Sequence, residues 1–244
     1  MCTVTFIPTP PSCIITSNRD EKKGRSAAIA PASYTYDSGK ILFPKDADAG
    51  GTWIAIHANG NAIVFLNGAL VKHTPKPPYR KSRGLILIDL IDSSSPANSF
   101  QAINLNKIEP FTAIIWDDGH LFECRWNGKQ KNCQLIESNS PHIWSSITLY
   151  DEGVIAKRKN WFDSWIEKNP QPAQEAILHF HQFTGDGDKE NDLLMNRKDK
   201  VATISITSIA ISEHAAQMLH LDMRQDKTIT ASLLFEKSMA GNNE

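Results

Sequence analysis

The sequence lacks a long apolar run, an excess of either charge, and any cysteine spacing that would announce a metal site. No window approaches the roughly 18 apolar residues that a membrane-spanning helix needs, so no stable membrane insertion is expected. Over 244 residues, 26 Lys and Arg face 27 Asp and Glu, a formal net charge of −1. That balance provides no global field for nucleic acid, and the expected partner is a small-molecule ligand or substrate. The start, "MCTVTFIPTPPSC", has neither a basic segment nor an apolar core of leader length, so no secretory signal is expected and the protein reads as cytoplasmic. The four cysteines, Cys2, Cys13, Cys124 and Cys133, form no Cys-x-x-Cys pair. In a reducing compartment Cys13, Cys124 and Cys133 read as small buried hydrophobes.

What is present is a chain of strands and hairpins interrupted by helices. "CTVTFI" (2–7) and "CIITSN" (13–18) alternate, with "PTPPS" linking them. "GGTWIAIHANGNAIVFLNG" (50–68) predicts a hairpin turning at Asn59-Gly60. Residues 22–49 read as a surface excursion holding one short strand, "KILFP". A proline-broken basic loop (72–83) precedes a helix in "GLILIDLIDSSS", and a second short helix is expected over 96–103. Residues 111–128 predict another hairpin, continued by "NCQLIES". Helices are expected over 151–168 and 172–183, and strands near 201–211, 216–223 and 228–236, before a disordered tail at 238–244. Two blocks of strands with helices between them, and no regular βαβ alternation, imply an α+β fold of antiparallel sheets in one domain over 1–237.

One constellation carries chemistry. Removal of the initiator methionine is favoured when residue 2 is small, which would make Cys2 the mature N-terminus. A thiol beside its own α-amine is a compact catalytic unit. The amine, with an ordinary pKa of about 8, serves as base to an intrinsically nucleophilic sulfur. Such a unit still needs an acid to orient the amine and a donor for the oxyanion. Asp20, after the strand "CIITS", and Asn67, closing "VFLN", are the candidates. Adjacent side chains on a strand point to opposite faces, so Arg19 and Asp20 cannot both face Cys2 unless a bulge intervenes. Asp20 receives the site role, while Arg19 is expected to tie strand to loop through a carboxylate.

The segments "MCT", "NRDE" (18–21), "GGTW" (50–53), "LNG" (66–68) and "SRG" (82–84) together resemble the NRDE family, also called transport and Golgi organisation protein 2. The likeness is specific over roughly residues 1–90. It implies an N-terminal nucleophile hydrolase-like αββα sandwich, two antiparallel sheets between helical layers, distantly related to penicillin and bile-salt acylases. By position it makes Cys2 the nucleophile, Asp20 the amine-orienting acid and Asn67 an oxyanion donor. Asn18, Arg19 and Thr148 are expected beside them as binding positions. No cofactor is implied for that catalysis. Three features depart from those acylases: Ser17 stands where they carry an arginine, Thr148 where an asparagine is expected, and Val201 to Ile204 lack a late arginine. The departures keep a second reading open, a non-catalytic binder of haem or an acyl lipid on the same fold. With no Cys-x-x-Cys-His motif, any haem would be held non-covalently.

Other signals read as structure. "TGDGDKEND" imitates a calcium loop, but Asn191 occupies the sixth position and Arg197 the twelfth, so a solvated loop is expected and no metal is assigned. His179 and His181, two apart on a helix, cannot share a ligand. Trp161 and Trp165, at i and i+4, belong to a packing face.

Overall fold

A computed structural model describes residues 3–198 and 200–236. Cys2 and the tail 238–244 therefore lie outside the described residues. The chain opens with β1 (Thr3–Thr9), β2 (Ser12–Lys22), β3 (Ile29–Tyr36), β4 (Gly39–Lys45), β5 (Ile54–His57) and β6 (Ala62–Asn67). Helices α1 (Arg83–Ile91) and α2 (Pro96–Ala102) lead to β7 (Phe111–Asp117), β8 (His120–Trp126), β9 (Lys131–Ile136) and β10 (His142–Ser145). After α3 (Glu152–Lys168) and α4 (Gln174–Phe183) come β11 (Asn196–Arg197), β12 (Val201–Ile211), β13 (Ala215–Asp222) and β14 (Lys227–Leu234).

Among the described residues these strands form two antiparallel seven-stranded sheets. The first runs β10-β1-β2-β12-β13-β14, with β11 on the end of β12, and the second runs β3 to β9 in sequence order. Helices α1 and α2 pack on the second sheet, and α3 and α4 on the first. The result is the expected αββα sandwich. The largest core lies between the sheets and under α1, joining Phe6 and Ile15 to Phe43, Phe65 and Phe111. A smaller one, with Ile7, Ile14, Phe162 and Phe180, lies between the first sheet and its helices.

The helix starts follow from their caps. Ser82 Oγ accepts the Leu85 N–H at the head of α1, and Asp151 Oδ1 accepts that of Val154 at the head of α3. Ser95 caps α2, whose first position is Pro96.

The charged end of "CIITSNRDEK" behaves differently from an ordinary solvated strand end. The strand continues through it to Lys22, and every residue from Cys13 to Asp20 is buried. Both faces of β2 are covered, one by the second sheet and one by α4, so its polar groups must find partners inside the protein.

Three expectations are corrected. The excursion at 22–49 contains a second strand, β3, which sits at a sheet edge with much of its surface exposed and so shows no clean alternation. The four-residue β10 was not expected at all; it adds an edge beyond β1, pairing Ser145 with Thr3. Cys124 and Cys133, expected as separate thiols, face each other across β8 and β9 and are joined as a disulfide. Cys13 is free and buried, and burial pushes its thiol pKa up.

Candidate active site

Alternation along β1 and β2 divides their polar residues between two faces. Val4, Phe6, Cys13 and Ile15 enter the core between the sheets, whereas Ile7 and Ile14 enter the core under α3 and α4. Arg19 continues the first set and Asp20 the second. A bulge does occur here, but on β12: Thr203 pairs with Asp20 and Ser205 with Arg19, leaving Ile204 as the extra residue. The alternation of β2 itself is undisturbed.

On the face between the sheets, Arg19 lines a cavity of about 400 Å³ together with Asn67. Its guanidinium donates to Asp46 Oδ2 and lies over the Trp53 ring, 4.2 Å from the centroid. Asp46 also receives Arg25 Nε at 2.8 Å and Nη2 at 2.9 Å, and the N–H groups of Asp48 and Ala49. Burial acts to raise its pKa, but the bonds from Arg25 and Ala49 and the charge of Arg19 outweigh burial and hold it below the usual range. Burial lowers the pKa of Arg19.

The second wall is built where the "GGTW" and "SRG" segments meet. Thr52 N–H donates to Gly84 O at 3.2 Å. A Cβ on Gly51 would fall 2.4 Å from the Gly84 carbonyl carbon, and one on Gly84 would fall 2.8 Å from Thr52 O. Only glycine permits both approaches, and they bring Trp53 and the N-terminal end of α1 to the same cavity. Asn67 ends β6 opposite Phe111, and Gly68 follows it at φ +81°. Thr148 packs against that turn. Its Cγ2 lies 2.7 Å from where a Gly68 Cβ would be, and its hydroxyl bonds Ser146 Oγ at 2.9 Å. Ser146 Oγ in turn donates to Asn67 O at 2.8 Å.

On the other face, Asp20 is held in a buried polar network beneath α3. Thr203 Oγ1 donates to Asp20 Oδ1 at 2.6 Å, and Tyr150 OH to Oδ2 at 2.9 Å. Arg158, fully buried, lies 3.6 Å above the Tyr150 ring and donates to Thr3 Oγ1 at 2.6 Å. Asn18 donates to Leu193 O and His181 O. His181 sits between two side chains, with Nδ1 2.6 Å from Asn18 Oδ1 and Nε2 2.8 Å from Thr5 Oγ1. Since both amide hydrogens of Asn18 are used, its oxygen accepts from His181 Nδ1–H, and Nε2 accepts from Thr5.

The assignments made from sequence thus divide. Arg19 and Asn67 share the cavity, and Thr148 braces the turn beside it. Asp20 and Asn18 lie on the opposite face of β2 from the cavity, and Arg19 ties the strand to the loop after β4 through the Asp46 carboxylate, as expected, while also lining the cavity. The expectation that Asp20 faces Cys2 falls on a residue outside the described ones. Alternation correctly separated the two residues, but the layer each one faces depends on the sheet above. Trp53, Arg25, Asp46 and the Gly51–Gly84 contact were missed as cavity residues, although "GGTW" and "SRG" were both visible. The carbonyls of Asn191 and Asp192, in the loop that imitates a calcium site, are used internally and accept from Arg158.

Against this geometry, the profile of the Transport and Golgi organisation 2 family matches residues 1–227. The chain belongs to that family. Solved structures share its fold. A mutant conjugated bile acid hydrolase from Clostridium perfringens superposes with a TM-score of 0.55 at 11% identity, covering 97% of this chain and 98% of that one. A second variant of that hydrolase gives 0.56 at 11% identity, with 99% of each chain covered. A Caenorhabditis elegans N-acylethanolamine-hydrolyzing acid amidase ortholog gives 0.57 at 8% identity, over 85% of this chain and 92% of that one. The family protein described here therefore has the N-terminal nucleophile hydrolase fold. A comparison with curated proteins finds no match, and no helix among the described residues is long and apolar enough to cross a membrane.

Two buried histidines set an acid limit on this family member. Burial first, and then the charge of Arg158, lower the His181 pKa to about 3; burial first, and then Arg19, lower that of His220 to about 4 against the opposing charge of Asp222. Both are neutral in the folded protein, while in the unfolded chain each takes up a proton near its ordinary value of about 6.5. Their contribution is therefore complete above that value and lost as pH falls toward the folded values. Urea denaturation at pH 7 and pH 5 is expected to show a loss of about 3 kcal/mol. Equal stability at the two values would contradict the burial of neutral imidazoles.

Proposed function

We propose that the protein is an N-terminal cysteine amidohydrolase acting on a non-peptide amide. The observation that carries this reading is the cavity between the sheets shared by Arg19 of β2 and Asn67 at the end of β6, on a fold whose solved neighbours include bile acid and N-acylethanolamine hydrolases. In the proposed mechanism the Cys2 thiolate attacks the amide carbonyl and its α-amine takes the thiol proton. The amine then delivers that proton to the departing nitrogen, and water releases the acyl group from sulfur. Asn67 donates its side-chain N–H to the tetrahedral oxyanion.

The role of Asp20 takes a more specific form than a shared face. The mechanism requires the α-amine to reach the Asp20 carboxylate, held in place by Tyr150 and Thr203, while the thiol opens toward Arg19 and Asn67. An amine and a side chain leave the same Cα in different directions, so one residue can address both faces of a sheet. Thr148, bonded to Ser146, supports the Asn67–Gly68 turn in this scheme.

A panel of N-acyl amides tests the oxyanion assignment. Asn67→Ala is expected to lower kcat by about 10²–10³-fold with little change in KM, because its N–H bond strengthens only as the oxyanion forms. An equal loss expressed in KM alone would remove Asn67 from the transition state. The rival reading as a haem carrier has less support. Among the described residues lining the cavity, most of the polar side chains are charged, which suits a polar substrate better than a largely apolar macrocycle.

A further inference from the structure

Four buried side-chain nitrogen or oxygen atoms lack a hydrogen-bond partner among the described residues: Arg19 Nη1, Trp53 Nε1, Ser205 Oγ and His73 Nδ1. The first two belong to one stacked cation–ring pair, and both residues line the cavity. A buried donor left unpaired costs about 1–3 kcal/mol, and more when it is charged. Two of them together in one cavity describe a place prepared for an acceptor.

Of the three carboxylates that line the cavity, Glu21 accepts the N–H of Lys22 and faces Arg25 at 3.9 Å, and the other two are more fully engaged. Asp46 receives five N–H bonds, from Arg19 Nη2, Arg25 Nε and Nη2, and the backbone of Asp48 and Ala49. A carboxylate offers about four lone-pair sites, so it has none left for Arg19 Nη1. Glu109 is shared by Arg83 at 3.1 Å and His73 at 3.3 Å. The N-terminal end of α1 also borders the cavity through Ser82 and Gly84, and its first turn contains no acidic residue. The positive end of that nine-residue helix therefore adds to the potential of Arg19 rather than cancelling it.

We propose that Arg19 and Trp53, at the N-terminal end of α1, form a subsite for a carboxylate group of the ligand. A guanidinium N–H and an indole N–H serve one oxygen each of a planar carboxylate, whose single negative charge is shared by its two oxygens, and the burial of both donors excludes competing water. Combined with the amidohydrolase reading, on which this step rests, the substrate class becomes amides that bear a carboxylate. The bond Arg19 makes to Asp46 fixes the guanidinium against Trp53, and a small shift of the cavity wall opens the two buried donors to the incoming carboxylate.

The test is the indole N–H signal of Trp53 in nitrogen-labelled protein, assigned by its disappearance in Trp53→Phe. It is recorded in both the natural sequence and Cys2→Ala during titration with hexanoate, hexanamide and inorganic phosphate. Hexanoate is expected to move the Trp53 signal saturably, with hexanamide binding at least about tenfold more weakly. Trp53→Phe is expected to weaken hexanoate about five- to tenfold at unchanged melting temperature, since the ring that stacks on Arg19 remains. Arg19→Gln, where it folds, should abolish the preference for the anion. A Trp53 signal that ignores hexanoate, or answers hexanamide equally, overturns the subsite and leaves water as the partner of these donors. Tighter binding of phosphate than of hexanoate overturns the carboxylate assignment. Because no turnover is needed, protein that binds hexanoate yet hydrolyses no amide defeats the hydrolase reading alone. Active protein blind to hexanoate defeats the subsite alone.

Discussion

Arg158→Ala is expected to destabilise the protein by about 3–5 kcal/mol, from the loss of charge-assisted hydrogen bonds and the void left by a large buried side chain. Arg158 is the largest fully buried side chain among the described residues. Its Nη1 holds Thr3 at the head of β1, and Nε and Nη2 bind the carbonyls of Asn191 and Asp192. Its planar face rests on Tyr150, whose hydroxyl donates to Asp20. Truncation leaves a hydroxyl and two carbonyls without their donor and opens a cavity beneath β1. Urea denaturation should show the midpoint falling with the slope unchanged. Arg158→Lys should recover only part of the loss, because an ammonium cannot span the three acceptors in the guanidinium plane. A loss under about 1 kcal/mol would mean that the network beneath β1 contributes little.

The second large effect concerns catalysis itself. Cys2→Ala removes the only group in the proposed mechanism able to form the acyl-enzyme, so hydrolysis of every cleaved amide should fall by at least about 10³-fold while ligand binding persists. Cys2→Ser keeps the geometry of the nucleophile but not its acidity and should retain only residual activity. The combination separates a missing nucleophile from a damaged fold, because the melting temperature of either variant should stay near that of the natural sequence. Unchanged amidase activity in Cys2→Ala would assign the chemistry elsewhere.

Much of the architecture was legible in local patterns. The Asn59-Gly60 hairpin, α1 behind its Ser82 cap and the long antiparallel strands β12 to β14 follow from periodicity and turn chemistry. The "GGTW" and "SRG" segments were visible as motifs, but their physical purpose was not. It is a backbone crossing at Gly51 and Gly84 that exists only once two distant segments meet. The burial of Arg19 and Asp20 was hidden for the same reason, because hydrophobicity along β2 ends at Ile15 and says nothing of the layers that close over its charged end. Alternation showed that the two residues part company. It could not show which one turns toward the cavity, since that depends on sheet stacking. The Cys124–Cys133 bond likewise comes from cross-strand register, with each cysteine unremarkable in its own strand.

The central claim is a covalent role for residue 2, and intact-protein mass spectrometry of the purified protein tests it most directly. The account predicts a mass lacking the initiator methionine. It also predicts, on brief incubation with a cleaved amide and acid quench, one added acyl group that peptide mapping places on Cys2. Retention of Met1, or acylation that persists undiminished in Cys2→Ala, would contradict it.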